Sequence, residues 1–136
     1  LKHVRILGPE RSATQIELAQ TDCRNIGIKA PVRSSGDTKG TPGVTLRGPN
    51  GTLTVPEGVM IADRHIHMTP AQAAAFGLAD GDRVQVKIDG PKPGVMGGVL
   101  IRANDKCALD FHIDTDDGNA FLLKQGQLVT VLGKEE

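Results

Sequence analysis

Asp63-Arg64-His65-Ile66-His67-Met68 and Leu109-Asp110-Phe111-His112-Ile113-Asp114 carry three of the four histidines of this 136-residue chain. Each stretch reads as a β-strand. Side chains two apart on a strand point to the same face. His65 and His67 therefore present two imidazoles side by side while Ile66 turns into a core. In the second stretch Leu109, Phe111 and Ile113 alternate with Asp110, His112 and Asp114, which puts His112 on the polar face. If the two strands meet, three imidazoles converge. Three histidine nitrogens with one open position form a catalytic zinc arrangement. The competing reading is the polar face of a half-exposed sheet, and spacing alone does not make the strands neighbours.

Around these stretches the sequence is punctuated β structure. Seventeen glycines and eight prolines fall between short apolar runs. Residues 44–46, 53–55, 59–61, 84–88, 99–101 and 128–132 are expected strands, and turn signals separate several of them, such as Gly48-Pro49-Asn50-Gly51 and Asp80-Gly81-Asp82. Many short strands so divided favour a barrel or a sandwich. Three short helices are expected. Residues 70–76 follow Thr69 as N-cap, with Pro70 at the first helical position, Gln72 completing a capping box and Gly77 as the stop. Residues 22–26, closed by Gly27, and residues 116–123 are the others. The strand carrying His65 and His67 runs straight into Thr69, so free N–H groups at that helix start are expected to favour an anion.

Composition removes several function classes. Net charge is zero with both signs mixed, and Trp and Tyr are absent. Neither a basic patch nor a base-stacking platform is present, so nucleic acid is not an expected partner. No apolar run reaches the roughly 18–20 residues of a membrane span, and no signal peptide is visible. Cys23 and Cys107 show no metal-type spacing, which leaves a reducing, cytoplasmic setting as the default. The length suits one domain or two very small ones.

Other residues carry weaker signals. Residues 3–7 read as a strand, followed by the turn Gly8-Pro9-Glu10-Arg11-Ser12 and the alternating run Thr14-Gln15-Ile16-Glu17-Leu18. Arg11 could clamp a phosphate or an oxyanion, although a solvated loop arginine is the commoner outcome. Glu17 could be a hard-metal ligand or a surface carboxylate. Residues 33–43 form a polar, glycine-rich loop that could hold a phosphorylated ligand on backbone N–H groups, with a flexible linker as the alternative. Asp114, Asp116 and Asp117 offer a partner to fix the His112 tautomer; helix capping explains Asp114 equally well.

Taken in order, Arg64-His65-Ile66-His67-Met68-Thr69-Pro70, Gly77-Leu78-Ala79-Asp80-Gly81-Asp82 and Phe111-His112-Ile113-Asp114-Thr115-Asp116 with Asn119-Ala120 resemble the PduL-type phosphate propanoyltransferases (phosphotransacylases) of bacterial microcompartments. Val4-Arg5-Ile6-Leu7-Gly8-Pro9 and Thr14-Gln15-Ile16-Glu17 resemble that family too, so the likeness covers essentially the whole chain. It implies a mainly β fold of two small β-barrel domains capped by short helices, here residues 1–61 and 62–136, with strands exchanged across the boundary. It also implies transfer of a short acyl group, propanoyl or acetyl, between coenzyme A and inorganic phosphate at a two-zinc centre. One zinc falls to His65, His67 and His112. Glu17 falls to the second zinc, and Arg11 becomes the essential arginine. Implied partners are acyl-CoA, free coenzyme A and phosphate, with a homo-oligomer and microcompartment shell or lumen proteins beyond them, and no membrane. Implied localisation is cytoplasmic, inside a microcompartment.

One departure stands out. Members of that family carry an N-terminal segment whose own His-x-His pair and nearby Cys complete the second zinc site, and nothing of that kind precedes Leu1. The expectation is one complete metal site and weak turnover from this chain alone. Direct attack by phosphate is expected, because no Cys or Ser stands in a nucleophile motif. The alternatives are a zinc-dependent thioester hydrolase and a non-catalytic β-barrel binding or assembly module.

Overall fold

Three strands and one helix organise the first 62 residues around a single central strand. The computed structural model describes residues 1–8 and 10–135, and its fold is mainly β. The chain separates into two compact units, Leu1–Ala62 and Asp63–Glu136.

In the first unit, β5 (Val59–Ala62) is flanked by β1 (Ile16–Glu17) and β2 (Val32–Arg33), both parallel to it. A strand buried on both sides reads as a continuous apolar run, and Val59, Met60 and Ile61 are all buried. The helix α1 (Gln20–Ile26) puts Cys23 into this core beside Ile16, Leu18 and Val59. Gly27 closes it in the left-handed conformation, its N–H donating to Arg24 and Cys23 carbonyls. This helix begins earlier than the expected 22–26, because Asp22 lies in its first turn instead of capping it. A separate hairpin joins β3 (Val44–Gly48) to β4 (Gly51–Val55).

Two expectations for this unit fail. The strand expected over residues 3–7 is absent: Ile6 and Leu7 are 99% and 80% exposed and pair with no strand among the described residues. A strand exists only through its partners' hydrogen bonds, so apolar alternation alone does not make one. The turn expected around Pro9 falls partly outside the described residues. The polar loop after residue 33 is not a free linker. Asp37 N–H donates to Ser34 O at 3.0 Å, and the buried Thr41 hydroxyl donates to Thr38 O at 2.6 Å while accepting from Gly58 N–H at 2.9 Å.

The second unit is one five-stranded sheet in the order β10 (Thr130–Lys134), β7 (Arg83–Ile88), β8 (Gly94–Ala103), β6 (His65–Met68) and β9 (Asp110–His112). One face is the core: Ile66, Met68, Val84, Val86, Val99 and Ile101 are all buried there. Burying each such side chain is worth about 1.5–3 kcal/mol. Strand β8 is far longer than the expected 99–101. The register between β7 and β8 shifts between Val84 and Val86, where Val84 faces Val99 and Val86 faces Met96. Gly98 has φ +67° at this point. The Gly97-Gly98 pair is thus a bulge inside one strand instead of a break between two. Strand β10 starts two residues later than expected. Gln127 accepts from Lys124 N–H and donates to Asp89 O, holding a turn just ahead of the strand.

None of the sheets closes. Strands β9 and β10 are the two edges of the large sheet and do not pair among the described residues, so the expected barrels are not what the strand order gives. Closure requires continuous pairing round the ring, which a hydrophobic pattern does not report. Two short helices belong to this unit, α2 (Pro70–Ala75) and α3 (Thr115–Phe121). Among the described residues no helix is long and apolar enough to cross a membrane.

Candidate metal centre

Strand β6 lies between β8 and β9, and this placement builds the site. It runs parallel to β8 and antiparallel to β9. Residues directly opposite share a face. His65 therefore stands between Leu100 and His112, and His67 stands between Arg102 and Asp110. The alternate residue Ile66 is 3% exposed and packs into the core, fixing which face the histidines present.

The three imidazoles converge. Each offers a nitrogen within 4.8 Å of the others. The ring centroids lie 4.7, 5.0 and 4.9 Å apart, with His65 and His112 stacked and His67 edge-on to both. His65 Nδ1 is 2.8 Å from the Asp63 carbonyl oxygen. A carbonyl only accepts, so Nδ1 carries the proton and the neutral ring keeps a lone pair at Nε2. That Nε2 lies 3.2 Å from His67 Nε2. Two nitrogens held at about 2.0–2.1 Å from one tetrahedral ion are about 3.3 Å apart. The donor set therefore fits a metal ion of the zinc type.

Electrostatics favour a neutral, ligating ring at His67. The His67 pKa is pushed down, first by burial, then by the neighbouring His65, His112 and Arg102, with Asp110 partly opposing. Its Nδ1 lies 3.2 Å from Cys107 Sγ. His112 Nε2 is 3.5 Å from Asp110 Oδ2. The carboxylate beside His112 is thus Asp110, two residues away on its own strand. Asp114 instead caps α3, accepting from Asp117 N–H at 2.8 Å, and Asp117 pairs with Arg64 at 3.0 Å. Burial raises the Asp117 pKa although Arg64 opposes the rise.

At the start of α2, where free N–H groups were expected to favour an anion, the capping box takes up two of the backbone donors. Thr69 Oγ1 accepts from Gln72 N–H at 3.2 Å, and Gln72 Oε1 accepts from Thr69 N–H at 2.9 Å. The capping box itself was legible in the sequence.

Arg11 and Glu17 lie in the first unit. Both are exposed. Arg11 lines a shallow depression with Ser12, Gln15, Gly36 and Thr38. Gln15 links this depression to Glu17: its Nε2 donates to Glu17 Oε1 at 2.5 Å and to Ser35 Oγ at 3.0 Å, while its Oε1 accepts from Gly36 N–H at 2.7 Å. Sequence reasoning missed Cys107 and Arg102. The sulfur lies forty positions from His67, and no local pattern joins them. Arg102 was findable only through the β6–β8 register.

Comparison with known proteins identifies the family. Residues 1–124 match the family model described as phosphate propanoyltransferase. A phosphate propanoyltransferase of Thermotoga maritima is 46% identical over 133 residues, covering 97% of this chain and 63% of its own length. One from Lachnoclostridium phytofermentans is 45% identical over 132 residues, covering 97% and 62%. Another, from Salmonella typhimurium, is 48% identical over 121 residues, covering 88% and 58%. The chain spans about three fifths of the length of these curated relatives. With the match running through both units and over His65, His67 and His112, the chain belongs to the phosphate propanoyltransferase family.

Proposed function

We propose that this chain is a phosphotransacylase, moving a propanoyl or acetyl group between coenzyme A and inorganic phosphate with zinc on His65, His67 and His112. The observation that carries the reading is the convergence of three histidine nitrogens within 4.8 Å in a chain of this family. Zinc bound there supplies a Lewis acid and a fixed positive charge for an oxygen ligand.

The protein's own groups do the rest. A phosphate oxygen attacks the thioester carbonyl, a C–O bond forms, and the C–S bond breaks as coenzyme A leaves and takes a proton. The Asp63 carbonyl holds the His65 tautomer with its lone pair on Nε2, the nitrogen that would ligate the metal. Arg11 neutralises phosphate charge and the oxyanion that develops at the carbonyl carbon. Gln15 holds the Glu17 carboxylate in place, where Glu17 would be one ligand of a second zinc. No covalent acyl-enzyme is invoked. The setting we infer is cytoplasmic, inside a bacterial microcompartment.

The deciding assay mixes the zinc-loaded protein with propanoyl-CoA and follows free thiol with and without phosphate. Phosphate-dependent release with acyl phosphate as product is the expected result. Release that ignores phosphate overturns transfer in favour of zinc-dependent hydrolysis. A protein that takes up no zinc is a binding module without this chemistry.

A further inference from the structure

Three arginines belong to the second unit: Arg64, Arg83 and Arg102. Two are neutralised. Arg64 pairs with Asp117 at 3.0 Å, and Arg83 forms a two-pronged pair with Asp63, its Nη2 2.6 Å from Oδ2. Arg102 has neither an ion pair nor a side-chain hydrogen bond among the described residues. It is nevertheless half-buried, and it stands directly opposite His67 on the face that carries all three histidines.

That position is costly without a ligand. A guanidinium cannot shed its proton, so Arg102 places a permanent positive charge on the strand next to a centre suited to a divalent cation. The strands are about 4.8 Å apart, well within the reach of an arginine side chain. Like charges so close oppose each other unless an anion lies between them. Asp110, the acid on the same face, lies on the far side of His67 and β6 and makes its contact with His112. An anion that touches the metal and Arg102 together resolves the conflict, and the planar fork of arginine matches phosphate geometry.

We propose that Arg102 binds inorganic phosphate at the three-histidine centre, as a phosphate-positioning residue of the second unit. This rests on the phosphotransacylase reading and gives the phosphate nucleophile a protein contact on the same sheet face as the histidines. Arg11 belongs to the first unit and is a separate group.

The test is calorimetric and uses the 136-residue protein with zinc and phosphate as probes. Zinc is titrated first, and phosphate is then titrated into the zinc-loaded protein, for wild type, R102A and R102K. In R102A, phosphate affinity should fall about 10- to 100-fold, the loss of a charge-assisted hydrogen-bonded pair. Zinc affinity should stay equal or rise, because a like charge has gone. R102K should recover part of the phosphate binding. Damage to the fold would weaken zinc as well, so the opposite directions separate a ligand contact from a structural role.

Unchanged phosphate binding in R102A overturns the proposal, as does a wild type that binds no phosphate when zinc-loaded. Weakened coenzyme A binding with phosphate unaffected overturns it too, since the anion would then be a coenzyme A phosphate. Failure of phosphate-dependent thiol release by the wild type counts against the transfer reaction, while the titrations still decide Arg102.

Discussion

His67 Nδ1 lies 3.2 Å from Cys107 Sγ, while the Nε2 of the same ring lies 3.2 Å from His65 Nε2. The imidazole is therefore held at both ends. When Nε2 ligates a metal, Nδ1 carries the proton and donates it to sulfur. Partners of this kind orient ligating histidines, and losing one typically costs about 10- to 100-fold in metal affinity. C107A should weaken zinc binding by about that factor, read by competition with a chromophoric chelator. C107S should recover much of it, because a hydroxyl also accepts. Equal zinc affinity in wild type and C107A would remove Cys107 from the site. The other cysteine, Cys23, is fully buried in the first unit, so alkylation of the folded protein should label Cys107 first.

The ligand set itself is tested by truncation. H65A, H67A and H112A each leave two nitrogens, short of the three that a catalytic zinc site uses. Each should lose stoichiometric zinc and phosphate-dependent thiol release together. R11A should lose turnover yet keep zinc at the histidines. Zinc content by atomic absorption beside the thiol assay separates the two classes, and full turnover in R11A would cancel the role given to Arg11.

Much of this centre was legible from the strand pattern, for a definite reason. His65-Ile66-His67 alternates polar and buried positions, and Ile66 at 3% exposure decides which face is which. Phe111-His112-Ile113 repeats the device. The capping box at Thr69 and Gln72 was legible because its partners lie three residues apart. Register was not legible. That β6 pairs in parallel with β8 depends on a core shared by distant segments, and only that pairing sets Arg102 opposite His67. That β8 runs unbroken through Gly97-Gly98 is visible only from its pairing with β7. Residues 3–7 show the converse, a strand-like sequence for which the described residues offer no partner.

Helix α3 is positioned by a close approach. A Cβ added at Gly94 would lie 2.7 Å from Phe121 Cε1, and Phe121 is the last residue of α3, packed against the core of this unit. Alanine there must push the ring aside. Overpacking of this kind costs about 1–3 kcal/mol, and each kcal/mol lowers Tm by about 4–8 °C in a unit of this size. Calorimetry of G94A should show that drop; an unchanged Tm would mean the ring moves freely and does not fix the helix.

Acid stability should carry the mark of Asp82. Its carboxylate accepts from Lys134 Nζ at 2.6 Å and from Ala79 N–H at 2.9 Å. These two bonds, the lysine contact first, hold its pKa below the ordinary aspartate value. A depressed folded-state pKa means that the unfolded chain takes up the proton first as pH falls. The stabilisation is therefore complete above the unfolded pKa of about 3.9 and is lost as pH drops below it. Lysine 134 lies on β10 and Asp82 just before β7, so the pair ties the edge strand to its neighbour. K134A should be less stable than wild type near neutral pH, and the gap should narrow as the titration enters the acidic range. Urea unfolding of both proteins from neutral pH to about pH 3 spans that range. A gap that stays constant across it would show that Lys134 acts through packing alone and that the carboxylate contributes nothing.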